Sequence, residues 1–231
     1  MLEAIDLTKK YGKHEALCQL NLTVEKGEIF CLLGQNGAGK TTTINLFLGL
    51  IQPTSGEALL NGIAVKPNNN TTTEMIAYIP EVVQLYGNLS GIENLNFFSR
   101  LAGFKYSNTE LSDFLLKAGL QEAAHQDKLA SYSKGMRQKV GISIALSKNA
   151  DYIFMDEPIS GLDPKATLEF TKICKELSRD GKTIFMATHD IFNAVNVGTK
   201  IGIMKEGRLV YTSNTTTIGA SELQDLYLKT I

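Results

Sequence analysis

Net charge is almost missing from this sequence. Its 23 lysines and arginines stand against 24 aspartates and glutamates, a formal balance of -1 over 231 residues. A nucleic-acid binder carries a basic face, so nucleic acid is not expected as a partner. Cysteine is scarce as well: Cys18, Cys31 and Cys174 form no CxxC pair and no cluster with histidine. That argues against a metal ribbon or a disulfide framework, and predicts buried small hydrophobes in a reducing compartment. No apolar run approaches the ~20 residues that cross a bilayer. The opening Met1-Leu2-Glu3-Ala4-Ile5-Asp6 has no positive region followed by an apolar stretch, as a secretory signal would. The expectation is a cytoplasmic chain that reaches a membrane only through a partner. Internal repeats and heptad arrays are absent from the sequence too.

What is present is enough apolar content, 43%, to bury a full core, and a length at the upper end for one α/β domain. Short apolar stretches at Leu2 to Leu7, Ala16 to Val24, Glu28 to Leu33 and Glu57 to Leu60 are separated by Gly-containing turns and read as strands. Residues 92–101, 110–118 and 136–146 carry apolar side chains at helical spacing. From Asp151 the pattern alternates strand, helix, strand, with strands at Tyr152 to Met155, Thr183 to Thr188 and Lys200 to Met204. Such alternation predicts βαβ units and a largely parallel sheet. The expected organisation is one domain over 1–231: a β-rich core from 1–80 and 151–231, with a helical insert at 81–150. A short helix is expected at Ser221 to Leu228, and nothing after it reads as a regulatory domain. The Asn/Thr-rich segments 68–73 and 214–217 read as solvated loops.

The strongest local signal is Gly34-Gln35-Asn36-Gly37-Ala38-Gly39-Lys40-Thr41-Thr42, a GxxxxGK[ST] loop that follows the apolar Ile29 to Leu33 and leads into a helix-like stretch from Ile44 to Leu50. Its glycines let successive N–H groups turn inward, and a helix N-terminus adds positive partial charge. The loop binds phosphate, with Lys40 reaching the β- and γ-phosphates and Thr41 offering its hydroxyl to Mg²⁺. Many unrelated enzymes share such a loop, so it predicts a ligand and not a function.

A second apolar strand runs into Asp156-Glu157-Pro158. A carboxylate at that edge can hold the Mg²⁺ that bridges phosphates, which is the role expected of Asp156. Pro158 disfavours a helical Glu157 and predicts an extended residue, so the two acids diverge. Glu157 is then the candidate general base. Taken alone, the pair also fits two polar residues ending a strand.

Between these motifs lies Tyr132-Ser133-Lys134-Gly135-Met136-Arg137-Gln138-Lys139. It resembles the LSGGQ signature of the ABC ATPases and its RQ continuation, keeping Ser133, Gly135, Arg137 and Gln138 and departing at Tyr132, Lys134 and Met136. The YSxGM form is similar to that of the type-2 exporter group, which includes drug-resistance and copper-maturation transporters. In isolation the same segment reads as a helix start capped by Ser133. The other motifs follow in the family's order along essentially the entire chain.

The resemblance implies a P-loop NTPase fold of the ABC type: a mixed, mainly parallel core with an N-terminal antiparallel part and a helical subdomain. It also implies ATP and Mg²⁺ as cofactors. Tyr11 stands where the family places an aromatic that stacks on adenine. Ser160-Gly161-Leu162-Asp163 resembles the loop at the dimer seam, and His189 the switch histidine at the γ-phosphate. Ser133, Gly135 and Met136 are implied to cover nucleotide bound by a second ABC ATPase subunit, expected to be a copy of the same chain arranged head to tail. Glu81 occupies the position where the family usually has a glutamine that approaches Mg²⁺ and senses the permease, with Gln84 as the fallback. Leu85, Tyr86 and Leu89 form an apolar cluster beside it, suited to a permease helix or to local packing. The implied activity is ATP hydrolysis driving a separate integral membrane permease, an exporter, with the chain peripheral on the inner face of the cell membrane. A soluble ABC ATPase acting on a cytosolic partner is the alternative. A GTPase would need an NKxD motif, and none occurs.

Overall fold

The computed structural model describes residues 1–230 and contains two sheets. In the first half of the chain, strands β1 (Leu2–Tyr11), β2 (His14–Val24), β4 (Ser55–Leu60) and β5 (Ile63–Ala64) form an antiparallel sheet in the order β2-β1-β4-β5. The second sheet contains β3 (Ile29–Leu33), β6 (Ile76–Ile79), β7 (Tyr152–Asp156), β8 (Thr183–Thr188), β9 (Lys200–Lys205) and β10 (Arg208–Asn214), in the order β10-β9-β3-β8-β7-β6. Every pair in it is parallel except β9 with β10. The fold is α/β, a P-loop NTPase architecture with a mixed core and an antiparallel N-terminal sheet.

Strand β3 explains why the core has two halves. All five of its residues are buried, as expected for a parallel strand covered on both faces. Period-two alternation sends Phe30 and Leu32 into one cluster and Ile29, Cys31 and Leu33 into the other. The first cluster lies between the sheets around helix α1 (Lys40–Phe47), where Phe47 stacks on Phe154 at 5.7 Å and Phe30 on Phe185 at 5.5 Å. Burying each such ring stabilises the fold by roughly 1.5–3 kcal/mol. The second is roofed by α6 (Pro164–Arg179), α7 (Ile191–Val197) and α8 (Ala220–Thr230). Helix α6 buries Phe170, Ile173, Cys174 and Leu177, one stripe at helical spacing. Cys18, Cys31 and Cys174 are free and buried, and burial pushes the Cys31 thiol up to about 12.

Between β6 and β7 the chain leaves the sheet. Helices α3 (Gly91–Leu101), α4 (Asn108–Lys117) and α5 (Lys134–Ser147) gather Ile92, Leu95, Leu111, Leu115 and Val140 into a cluster of their own. Capping boxes start two of them, Ser90 with Glu93 and Ser107 with Glu110.

Three local expectations need correction. Helix α1 starts at Lys40 and stops at Phe47 instead of spanning 44–50: Gly39 at φ 108° opens it directly from the loop, and Gly49 at φ 70° ends it. The Asn/Thr-rich segment is not all loop, because the Asn69 side chain accepts from Thr71 N–H and starts helix α2 (Asn70–Glu74), which buries Thr72. Strand β10, with its weak alternation, was not foreseen; it forms by pairing with β9.

Candidate active site

Because β3, β7 and β8 run parallel, their carboxyl ends meet at one edge, where open α/β sheets bind ligands. In register, Leu33 lies beside Thr188, and Asp156 beside Ala187. The phosphate loop, the two acids and His189 therefore converge although they lie far apart in sequence.

The loop from Gly34 to Gly39 is moulded by close backbone approach. A Cβ at Gly34 would lie 2.7 Å from the Met204 carbonyl oxygen, and one at Gly39 2.7 Å from that of Ala16. No side chain caps α1, so its first N–H groups face the loop, an anion-binding arrangement. Lys40 is 6% exposed. Its Nζ donates to the carbonyls of Gly34 at 2.6 Å and Gln35 at 3.2 Å. Burial lowers its pKa, against the opposing charges of Glu157 and Asp156. A buried ammonium whose partners among the described residues are carbonyls of its own loop is a ready partner for phosphate oxygens.

Thr41 Oγ1 donates to Asp156 Oδ2 at 3.1 Å. Burial holds the Asp156 carboxyl above its ordinary range; Thr41 and Lys40 work against that, and the charges of Glu157 and Glu81 add to it. A carboxyl whose pKa is raised on folding contributes stability that is present in acid and lost as pH rises through the folded pKa. At neutral pH the ionised group is a liability that a bound cation would relieve. Asp156→Asn is therefore expected to raise the melting temperature of the nucleotide-free chain at pH 7 and to abolish the further rise on adding a divalent cation with nucleotide. Differential scanning calorimetry reads both, and a lower nucleotide-free melting temperature would contradict this account.

Glu157 is not extended. Its φ is 45°, in the left-handed region, with its N–H donated to the Ala187 carbonyl at 2.9 Å. Pro158 disfavours a right-handed helical Glu157 and was expected to leave it extended, but the hydrogen bond to β8 goes with a left-handed backbone instead. The turn aims the side chain at the end of β8. There Oε1 lies 2.9 Å from His189 Nδ1, and Oε2 accepts from Thr188 Oγ1 at 3.2 Å. Both carboxylate oxygens are thus oriented, with the His189 side chain 63% exposed and that of Glu157 only 14%.

Glu81 follows β6 at the same edge. Its Oε1 accepts from Ser160 Oγ at 3.3 Å, so it is tied to the turn after Glu157 instead of joining the Thr41–Asp156 pair. Among the described residues no three His, Cys, Asp or Glu side chains gather as a metal cluster. A Mg²⁺ held by one carboxylate, a hydroxyl, phosphates and water fits that donor set. Gln84 is exposed.

Tyr11 ends β1, 49% exposed, with Lys9 Nζ 5.0 Å from its ring centroid. It shares a cleft with Gln35, Asn36, Gly37, Gly39, Lys40, Thr41 and Thr42, while Ala38 is 6% exposed under the loop. His14 and Ala16 line the same cleft and were missed from the sequence. The signal was available: Tyr11 pairs with His14 across a tight hairpin turn, which a Tyr-Gly-Lys-His stretch supports.

The remaining residues lie elsewhere. Ser133 caps α5, accepting from Met136 N–H at 3.2 Å, and Asp163 caps α6, accepting from Ala166 N–H at 2.9 Å. Together with Gly135 and Met136 they line a separate groove that shares no residue with the Tyr11 cleft. Within one chain the expected nucleotide ligands thus fall into two separate groups.

Comparison with known proteins gives the family. A family model described as ABC transporter matches residues 17–160, more than half of the chain. The bacitracin transport ATP-binding protein BcrA of Enterococcus faecalis is 37% identical over 218 residues, covering 93% of this chain and 69% of that protein. The probable multidrug ABC transporter ATP-binding protein YbhF of Escherichia coli K12 is 34% identical over 97% of this chain, which spans 39% of YbhF. Among solved structures, a dimeric post-hydrolysis state of the ATP-binding cassette MJ0796 with ADP and phosphate superimposes with a TM-score of 0.81 at 28% identity, over 93% of this chain and 99% of that one. Phosphate loop, strand-end acids, signature helix and sequence similarity agree: the chain belongs to the ABC transporter family, as an ATP-binding and ATP-hydrolysing subunit.

Proposed function

We propose that two copies of this chain pack head to tail, that each holds ATP and Mg²⁺ between its own phosphate loop and the signature of the other, and that hydrolysis drives an integral membrane permease acting as an exporter. The observation that carries this reading is the division into half-sites. Among the described residues the cleft at Lys40 is lined by none of the signature residues, while Ser133 and Gly135 line a groove that includes none of the phosphate loop. A twofold pair supplies each half-site with the other.

In this reading Gly34 to Thr42 hold the phosphates, with Lys40 moving its donors from loop carbonyls to phosphate oxygens. Tyr11 offers its ring face to adenine. Thr41 and Asp156 hold Mg²⁺, which when bound neutralises charge developing on the phosphates. Glu81 belongs to the outer edge of that metal site and senses the permease through its link to Ser160. Glu157 accepts a proton from the attacking water, and His189 orients it and reaches the γ-phosphate. Asp163 positions the seam through the start of α6. Loss of the γ-phosphate removes the contacts that ordered the closed pair, and reopening moves the permease.

Residues 81–150 act as the moving subdomain of a single cassette spanning 1–231. Its docking face lies at Tyr86 and Phe97, which are 48% and 41% exposed and stack edge to face at 5.0 Å. Asn94 braces that loop by accepting from Tyr86 N–H and donating to the carbonyls of Tyr86 and Ser90. Leu85 instead packs against the helical cluster. No helix among the described residues is long and apolar enough to cross a membrane. In the proposed assembly the permease holds the chain at the inner face. The bacitracin-transport role in the name of BcrA and the multidrug role in that of YbhF support an exporter.

Capture of the chain from detergent-solubilised membranes is expected to bring down an integral membrane protein. Recovery from the soluble fraction alone, with full ATPase activity and no membrane partner, would favour the soluble ATPase instead.

A further inference from the structure

We propose that Gln138 is a positioning residue that makes the Glu81 segment follow the signature helix, so that the state of the phosphate edge and the position of Ser133 and Gly135 change together. The inference rests on the two-half-site reading above for its consequence, but its geometry is independent of it. Gln138 lies on α5 beyond the signature residues and is 1% exposed. Its Nε2 donates to the Glu81 carbonyl at 3.2 Å and to the Pro80 carbonyl at 3.5 Å. These are the first residues after β6, and Glu81 is held on its other side by Ser160 Oγ, in the turn between Glu157 and Asp163. A carboxamide thus joins a rigid helix to a stretch of backbone with no helix or strand of its own.

Two further features show that the amide is there for this contact. Gln138 Oε1 is buried with no hydrogen-bond donor among the described residues. An unmatched buried acceptor costs stability that an apolar side chain of the same shape would not, so packing alone would favour methionine. Next, a Cβ on Gly141, one turn along α5, would lie 3.3 Å from Val83 Cγ2. The missing side chain lets residues 80–83 lie close along the helix. Segment and helix are held at both places, and a shift of α5 carries Glu81 with it.

The test replaces Gln138 in the full chain. Gln138→Met keeps the volume and removes both donors and the unmatched acceptor; its melting temperature is expected to be unchanged or higher. Affinity for a fluorescent ATP analogue is expected to stay within about twofold, while kcat falls about fivefold, within the span that coupling residues command. Amide hydrogen exchange over residues 81–86 is expected to quicken in the nucleotide-free chain. Gln138→Glu, which keeps length and acceptor but not the donors, is expected to show the same loss of kcat and the same faster exchange. Unchanged kcat and unchanged exchange in either folded variant would overturn the proposal. A wild-type chain without ATP turnover would sink the proposed function, yet the exchange measurement would still decide on Gln138.

Discussion

Glu157→Gln is expected to yield a chain that binds ATP and accumulates as a closed pair with almost no turnover. The substitution is nearly isosteric, so the contacts that aim the side chain survive in part: Thr188 Oγ1 still finds an oxygen, and the turn at φ 45° with its Ala187 contact is backbone-borne. What is lost is the basic carboxylate at the edge of the phosphate site. General-base catalysis is worth about 10²–10⁴-fold in rate, and kcat is expected to fall by that much with little change in nucleotide affinity. Closure needs ATP and opening needs its hydrolysis in the proposed cycle, so the closed species should build up. Size-exclusion chromatography with and without ATP, beside a phosphate-release assay, reads both outcomes. Unchanged turnover would remove Glu157 from the role of base. Absence of the closed pair despite tight binding would remove the head-to-tail arrangement.

Lys40→Ala is the second large effect, and it acts one step earlier. The ammonium is buried, carries two carbonyl contacts of its own loop, and stands among the charges of Glu157 and Asp156. Removing it withdraws the main positive charge from a site that must receive several phosphate charges, and leaves the two acids less compensated. Truncating one partner of a buried charged pair costs about 2–5 kcal/mol, which at about 1.4 kcal/mol per decade is roughly 30- to 4,000-fold in Kd. Titration calorimetry with ATP and Mg²⁺ is the measurement. Affinity within tenfold of the parent, a bound taken from the same ~1.4 kcal/mol per decade, would mean that the loop amides and the α1 N-terminus carry the phosphates without the lysine. The two variants separate binding from chemistry, since one should lose the nucleotide and the other should keep it.

How much of this was legible beforehand differs from motif to motif. Strand β8 was read at its true limits, and β3 and β7 to within a residue, because buried parallel strands are short, continuous apolar runs bounded by turn residues. Helix α6 was legible from its apolar stripe, although Asp163 was read as part of the seam loop and not as its N-cap. Strand β10 and helix α2 were not, since the first takes its order from a neighbouring strand and the second from one Asn69 cap in a polar stretch. Of the site, the Glu157 backbone was misjudged because a rule about the next residue cannot include a hydrogen bond to Ala187 on another strand. Glu81 was placed by its position after β6, but its attachments to Ser160 and Gln138 lie far away in sequence and left no local trace.

What the sequence determined by itself is whatever contiguous residues can build: a glycine loop leading into a helix after Lys40, a cap at Ser133, and strands that end in acids. Those depend on turn chemistry and on hydrogen bonds over a few residues, so the local pattern suffices. Only the tertiary structure decided which of these pieces meet. Parallel register brings Thr41 to Asp156 and His189 to Glu157, while the same packing holds the signature groove apart from the Tyr11 cleft. Register and separation are set by how the two cores fill on either face of β3, a property of the whole packed chain and not of any segment of it.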